Sequence, residues 1–210
     1  MTAHLPHSPS CERNRLPIAQ ALDPHVAAAR RVLEIGSGTG EHAVFFAQRW
    51  PWLQWQPSDH PDHLSGIDAW RMHARLPNLL APIPLQAVLE PVPGLSPLPG
   101  EARAAPYDVV FTANTLHIMS WPHVEALFAG LPALLAPEAL LVVYGPFKRD
   151  GRHTSESNVA FDGWLAHQYG PQSAVRDREA VQALATARGL RFVEDIAMPA
   201  NNRLLVWQRV

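Results

Sequence analysis

The chain has 210 residues, a formal net charge of -2 and 17% charged residues, which suits one α/β domain with a substantial core and gives no basic field for nucleic acid or an anionic membrane. Its one cysteine, Cys11, excludes an intramolecular disulfide and fits a reducing compartment. With a polar N-terminus lacking a signal-peptide core and a most apolar window (127–143) broken by Gly130, Pro132, Pro137 and Glu138, a soluble cytoplasmic protein is expected.

Residues 1–10 are polar and proline-containing, and a mobile segment is expected there. Leu16 to Ala29 reads as a helix interrupted near Pro24. Glu12-Arg13-Asn14 precedes it, either as a solvated cap or as a flap over a ligand site. The apolar run Val32-Leu33-Glu34-Ile35 predicts a strand, which breaks into Gly36-Ser37-Gly38-Thr39-Gly40. Glu41 to Arg49 carries a helical apolar pattern and stops before Pro51; Leu53 to Pro57 is a second strand, and Asp59 follows at its end. Strand, glycine turn, helix and strand make a βαβ unit with a ligand site at the carboxyl edge of its sheet.

The spacing of the glycines discriminates between nucleotides. A dinucleotide fingerprint needs its third glycine at position 41, which is Glu41; here the third glycine comes one residue early, at Gly40. A carboxylate in the first helical turn opposes a bound pyrophosphate, so an adenosine ligand without phosphates fits better. Asp59 lies nineteen residues beyond Gly40, placed to accept both ribose hydroxyls. Glu34 and Asp59 are expected to bracket that ligand from two strand ends.

Asp59-His60-Pro61 opens the next helix, with Leu64, Ile67, Trp70 and Ala74 on one face. His60, Asp62 and His63 point in different directions at a helix start, and no metal site is expected from them. Eight prolines from Pro77 to Pro106 leave room for one short strand near Leu85 to Leu89. Tyr107 to Thr112 reads as a buried parallel strand that ends in the polar patch Ala113-Asn114-Thr115-Leu116-His117. Ser120 caps a helix with Val124, Leu127, Phe128 and Leu131 on its apolar face, and Ala139 to Tyr144 is the fifth strand. The polar loop 145–158 overhangs the same edge and is placed as a substrate lid. Ser157 or Asn158 caps a helix bearing Phe161, Trp164 and Leu165; Asp177 caps another, which Gly189 ends. Leu190–Ile196 and Arg203–Gln208, joined by a short link, form an antiparallel pair. The predicted fold is α/β: a doubly wound, Rossmann-like, seven-stranded sheet, mostly parallel, in a single domain spanning 1–210.

Glu34-x-Gly36-x-Gly38-x-Gly40 with Asp59 at the next strand end resembles class I S-adenosylmethionine-dependent methyltransferases. A closer resemblance is carried by Ser-Pro-Ser-Cys-Glu-Arg-Asn at 8–14, Leu-Glu-Ile-Gly-Ser-Gly-Thr-Gly-Glu-His-Ala at 33–43 and Trp-Gln-Pro-Ser-Asp at 55–59. Asn-Thr-Leu-His-Ile at 114–118, Tyr-Gly-Pro-Phe at 144–147, Ser-Asn-x-x-Phe-Asp at 157–162 and Met-Pro-Ala-Asn-Asn at 198–202 extend it. Together they are similar to the methyltransferase-like 26 family and its bacterial relatives. The resemblance implies S-adenosylmethionine as cofactor, held by Glu34, Gly36, Ser37, Gly38, Gly40, Asp59 and Asn114, and brings Arg13 and Asn14 into the site. It also implies an adenine-binding acid after the third strand, where this chain has Ala87 and a displaced Glu90.

Methyl transfer from a sulfonium needs alignment, and removal of a proton where the acceptor carries one. Asn114 is expected at the methionine end, through its main-chain carbonyl. His117 is the candidate base because it titrates near neutrality, or else it orients the loop. Tyr144, Glu156 and Asn158 are candidate acceptor contacts, and a small molecule is the expected substrate. The competing readings are a cofactor-binding protein without transferase activity and an NAD-dependent oxidoreductase.

Overall fold

A computed structural model describes residues 5–97 and 106–210. The start of the expected mobile segment, residues 1–4, and the proline-rich stretch 98–105 lie outside the described residues.

Helix α1 (Pro9–Val26) begins at Ser8-Pro9, not at Leu16, and continues through both Pro17 and Pro24. Ser8 is its N-cap, accepting from the Cys11 N–H, and Pro9 sits in the first turn, where the missing N–H has no partner to lose. Each internal proline removes a helical hydrogen bond. Burial of Ile18, Ala19, Leu22 and Val26 against α2 (Glu41–Arg49) offsets that loss. Glu12-Arg13-Asn14 therefore lies inside the helix and is not a cap ahead of it.

The central sheet has the strand order β3-β2-β1-β6-β7-β10-β9, with β8 pairing the far end of β7. Its members are β1 (Arg31–Ile35), β2 (Gln54–Asp59), β3 (Ile83–Pro84), β6 (Tyr107–Ala113), β7 (Leu135–Lys148), β8 (Arg176–Asp177), β9 (Leu190–Ala197) and β10 (Asn202–Arg209). β10 runs antiparallel to both β7 and β9, and the other pairs are parallel. The expected mostly parallel α/β sheet is present, with seven strands in the main order and β8 added as an eighth. The single strand expected near Leu85–Leu89 is instead two features. β3 is an edge strand, where Pro84 has no outer neighbour to need its missing N–H, and β4 (Gln86–Val88) with β5 (Gly94–Ser96) forms a separate hairpin.

Alternation along the strands feeds two cores. Leu33, Val110, Leu141 and Leu205 face α4 (Trp121–Gly130) and α6 (Arg178–Thr186). Val32, Phe111, Val142 and Val206 face α1 and α2. Between Ser120 and Gly189 the remaining helices are α4, α5 (Glu156–Tyr169) and α6; α5 is capped by Ser155, two residues before the expected Ser157. α3 (Leu64–Ala74) follows a 3-10 turn at Pro61–His63. No helix among the described residues is long and apolar enough to cross a membrane.

Candidate functional site

Four strands, β1, β2, β6 and β7, deliver their carboxyl ends to one edge. At β1 the glycine loop is tied to β2: the Gly36 and Ser37 amides both donate to Ser58 O, at 2.9 and 3.0 Å. Ser37 Oγ accepts from the Ser58 N–H, so Ser37 is buried structure. Gly38 and Gly40 hold φ of +58° and +90°. A Cβ at Gly40 would stand 2.9 Å from the Ile67 main chain, whereas Gly38 is exposed and opens onto free space. Asp59 receives the Gly38 amide on Oδ2 at 2.7 Å, and on Oδ1 the His60 amide and His63 Nδ1, at 2.6 and 2.9 Å.

Two cavities flank the edge. The smaller, about 400 Å³, is lined by Gly36, Asp59, Leu85, Gln86, Ala87 and Met119, among others. The larger, about 600 Å³, brings Arg13 and Asn14 of α1 together with Asn114, His117, Tyr144 and Asn158. Asn114, on the wall of the larger, holds a left-handed conformation (φ +57°) that turns the chain sharply at the end of β6. Its amide donates to Tyr144 O at 2.9 Å.

Of the expected residues, Gly36 and Asp59 reach the smaller cavity, and Arg13, Asn14, Asn114, His117, Tyr144 and Asn158 the larger. Glu34 lines neither. It is 1% exposed, faces the α1–α2 side, and accepts the Trp55 indole N–H at 2.8 Å. Burial pushes its carboxyl up to about 7, against smaller downward pulls from Trp55 and Ser37. Glu156 is exposed and also lies outside both linings.

His117 is buried, with its ring edge-on to Phe161 at 5.3 Å. Desolvation first, and the nearby Arg176 charge second, lower it to about 4, so the imidazole is neutral near pH 7 and does not titrate near neutrality as expected. Burial raises the Tyr144 phenol, which therefore stays a hydroxyl; Asn14 and Asn202 hydrogen-bond it and pull the other way. Asn14 Oδ1 also accepts from His42 Nε2 at 2.7 Å, and burial lowers that histidine to about 4 as well.

Glu41, Trp70, Arg176 and Gln86 were not legible as site residues. Glu41 accepts the Ser8 amide, Thr39 Oγ1 and a His7 contact at 2.9 Å, fastening the start of α1 to the glycine loop. Trp70 Nε1 donates to Pro6 O at 2.7 Å, so residues 5–8 are held against α2 and α3. Arg176 is buried and donates to the carbonyls of Leu116, Met119 and Gln172, which braces the loop carrying His117. A glutamate at a helix start and an arginine at a strand end look like surface residues in a sequence. Gln86 lies beside Ala87 in the smaller cavity; the resemblance pointed to an acid there and so past the amide.

These residues fit S-adenosylmethionine. Gly38 offers space that a Cβ would fill, Asp59 ends β2 beside it, and the smaller cavity is mainly apolar with Gln86 as a polar group for a base edge. Arg13 lines the larger cavity without an ion-pair partner among the described residues and suits a carboxylate. No cluster of metal-ligating residues occurs among the described residues.

The mixed α/β fold, with its mostly parallel sheet and antiparallel C-terminal strands, is the Rossmann-like fold of methyltransferases. Solved structures share it at low sequence identity. The mitomycin 7-O-methyltransferase MmcR aligns with TM-score 0.74 and 18% identity over 96% of this chain and 54% of its own. An O-methyltransferase family 2 protein from Planctomyces limnophilus, in complex with apigenin, gives 0.71 and 16% over 86% and 51%. Human N-acetylserotonin methyltransferase, in complex with S-adenosylmethionine, gives 0.71 and 14% over 95% and 52%. This chain spans about half the length of each. The chain belongs to the family described as Protein of unknown function (DUF938), whose pattern matches residues 5–209.

Proposed function

We propose that this protein is a cytoplasmic, single-domain S-adenosylmethionine-dependent methyltransferase acting on a small molecule, of the methyltransferase-like 26 type. The observation that carries the reading is the Gly38 amide joined to Asp59 on the wall of the smaller cavity, with the left-handed Asn114 on the wall of the larger. When bound, the cofactor supplies a methyl group already activated on a sulfonium.

The chain supplies position and a dry environment. Asp59 would accept the ribose hydroxyls, exchanging its bond to the Gly38 amide for them. Gln86 replaces the expected acid at the adenine, beside Ala87. The main chain at Gly36 and Asn114, and the Arg13 guanidinium with Asn14, hold the methionine end. His117, neutral at pH 7, receives a hydrogen bond or proton from the acceptor, and Tyr144 offers a hydroxyl donor in the same cavity. Glu34 supports the loop from beneath. Glu41 speaks against NAD: its carboxylate is fixed at the start of α2 by Ser8 and Thr39, where a pyrophosphate would have to sit.

Calorimetry with S-adenosylmethionine, S-adenosylhomocysteine and NAD tests the reading. Binding of the two sulfur nucleosides, lost in Asp59→Ala, is expected. Binding of NAD alone would overturn it.

A further inference from the structure

This inference rests on the proposed function and names the acceptor class of the same site. Helix α5 places Phe161, Trp164 and Tyr169 on the wall of the larger cavity. Phe161 and Trp164 stack with ring centres 5.6 Å apart and planes 15° from parallel; Tyr169 meets Trp164 edge-on at 5.7 Å. Two of these rings are left open: Trp164 is 48% exposed and Tyr169 49%. An indole in a cavity wall with half its surface uncovered is a platform for another flat ring. Phe161 continues the row inward and carries His117 on its edge.

Charge narrows the class. Among the described lining residues Arg13 is the one charged side chain, and it is assigned to the cofactor's carboxylate. No second cation remains for a phosphate or carboxylate, and no carboxylate for an amine. The polar groups left are the His117 imidazole, the hydroxyls of Tyr144, Tyr169, Ser10 and Ser157, and amides, all neutral, which suit a neutral hydroxyl. We propose that the acceptor is an uncharged planar aromatic alcohol, stacked on Trp164 with its hydroxyl toward His117.

The test uses the full chain saturated with S-adenosylhomocysteine and three probes on one skeleton: 2-naphthol, saturated 2-decalol and 2-naphthyl phosphate. Binding is followed by saturation-transfer NMR and calorimetry. An aromatic stack contributes up to about 1.5 kcal/mol beyond area, so 2-naphthol should bind about tenfold tighter than 2-decalol. Trp164→Leu should lower its affinity by about the same factor, Trp164→Phe should restore most of it, and nucleoside affinity should stay constant in both. Equal affinity for naphthol and decalol, preference for the phosphate, no naphthol binding, or an indifferent Trp164→Leu would each overturn the inference. So would a Trp164→Leu that changes only the oligomeric state, which would make the rings a contact between copies. Failure to bind S-adenosylhomocysteine would instead bring down the proposed function itself.

Discussion

Between pH 4.5 and 6.5 three buried groups titrate differently in the folded and unfolded chain. His42 and His117 sit at about 4 when folded, against an ordinary 6.5, while Glu34 sits at about 7 against 4.5. In this window the unfolded chain carries protons on both histidines and none on Glu34; the folded chain carries one, on Glu34. Each histidine has a depressed folded pKa, so its contribution is complete above 6.5 and disappears as the pH falls toward 4. Glu34 has a raised one, so its contribution is complete below 4.5 and disappears as the pH rises through 7. The unfolded state holds one proton more on balance, and stability should rise with pH at about 1.4 kcal/mol per unit, roughly 3 kcal/mol across the window. Urea unfolding at a series of pH values measures the slope. His117→Gln removes one proton from the unfolded side and should flatten the slope to near zero. Glu34→Gln removes the opposing group and should about double it. If neither variant alters the slope, or Glu34→Gln flattens it, burial is not what sets these three groups.

Three other perturbations separate parts of the site. Gly40→Ala puts a Cβ 2.9 Å from the Ile67 main chain at φ +90° and should cost about 2–4 kcal/mol; Gly38→Ala, in open space, should cost only about 1 yet abolish nucleoside binding, and an equal loss of stability in both would contradict the assignment. Glu41→Gln weakens the acceptor of the Ser8 amide and the Thr39 hydroxyl. It should expose residues 5–15 to limited proteolysis at a cost of about 1–3 kcal/mol, and an unchanged cleavage pattern would refute the clamp. Arg176→Met leaves the Leu116, Met119 and Gln172 carbonyls without their donor. Faster amide exchange at Ile118 and Met119, and a rise in the His117 pKa measured by NMR, are expected once the neighbouring charge is gone; no movement in either would show that the loop is held by something else.

The sheet was legible because its signals are local and repeated. Apolar runs at Val32–Ile35 and Tyr107–Thr112, punctuated by glycine or polar residues, leave few alternatives to parallel strands. Asp177 marked a helix start that the structure reproduces; the helix itself stops at Thr186, and Gly189 follows as the left-handed residue of the turn beyond it. Proline misled in both directions. Pro24 suggested a break that burial of Leu22 and Val26 overrides, while the prolines after Pro77 concealed a hairpin as well as an edge strand. The edge position of Asp59 followed from spacing alone. The direction in which Glu34 faces did not, because strand alternation turns it toward Trp55 and away from the cavities. Arg176 and His117 meet only through tertiary folding, fifty-nine positions apart in the chain, and no spacing rule connects them.

Glu41 has one further consequence. The carboxylate belongs to the first turn of α2, next to the loop that would meet the nucleoside, yet it grips the main chain just ahead of α1. α1 in turn supplies the Arg13 and Asn14 wall of the compartment on the other side. A shift of the glycine loop therefore reaches the α1 wall directly through Glu41, alongside the Asn14–His42 bond between the same two helices. Under the proposed function, that linkage predicts compulsory order, with the nucleoside entering first and the acceptor admitted after it.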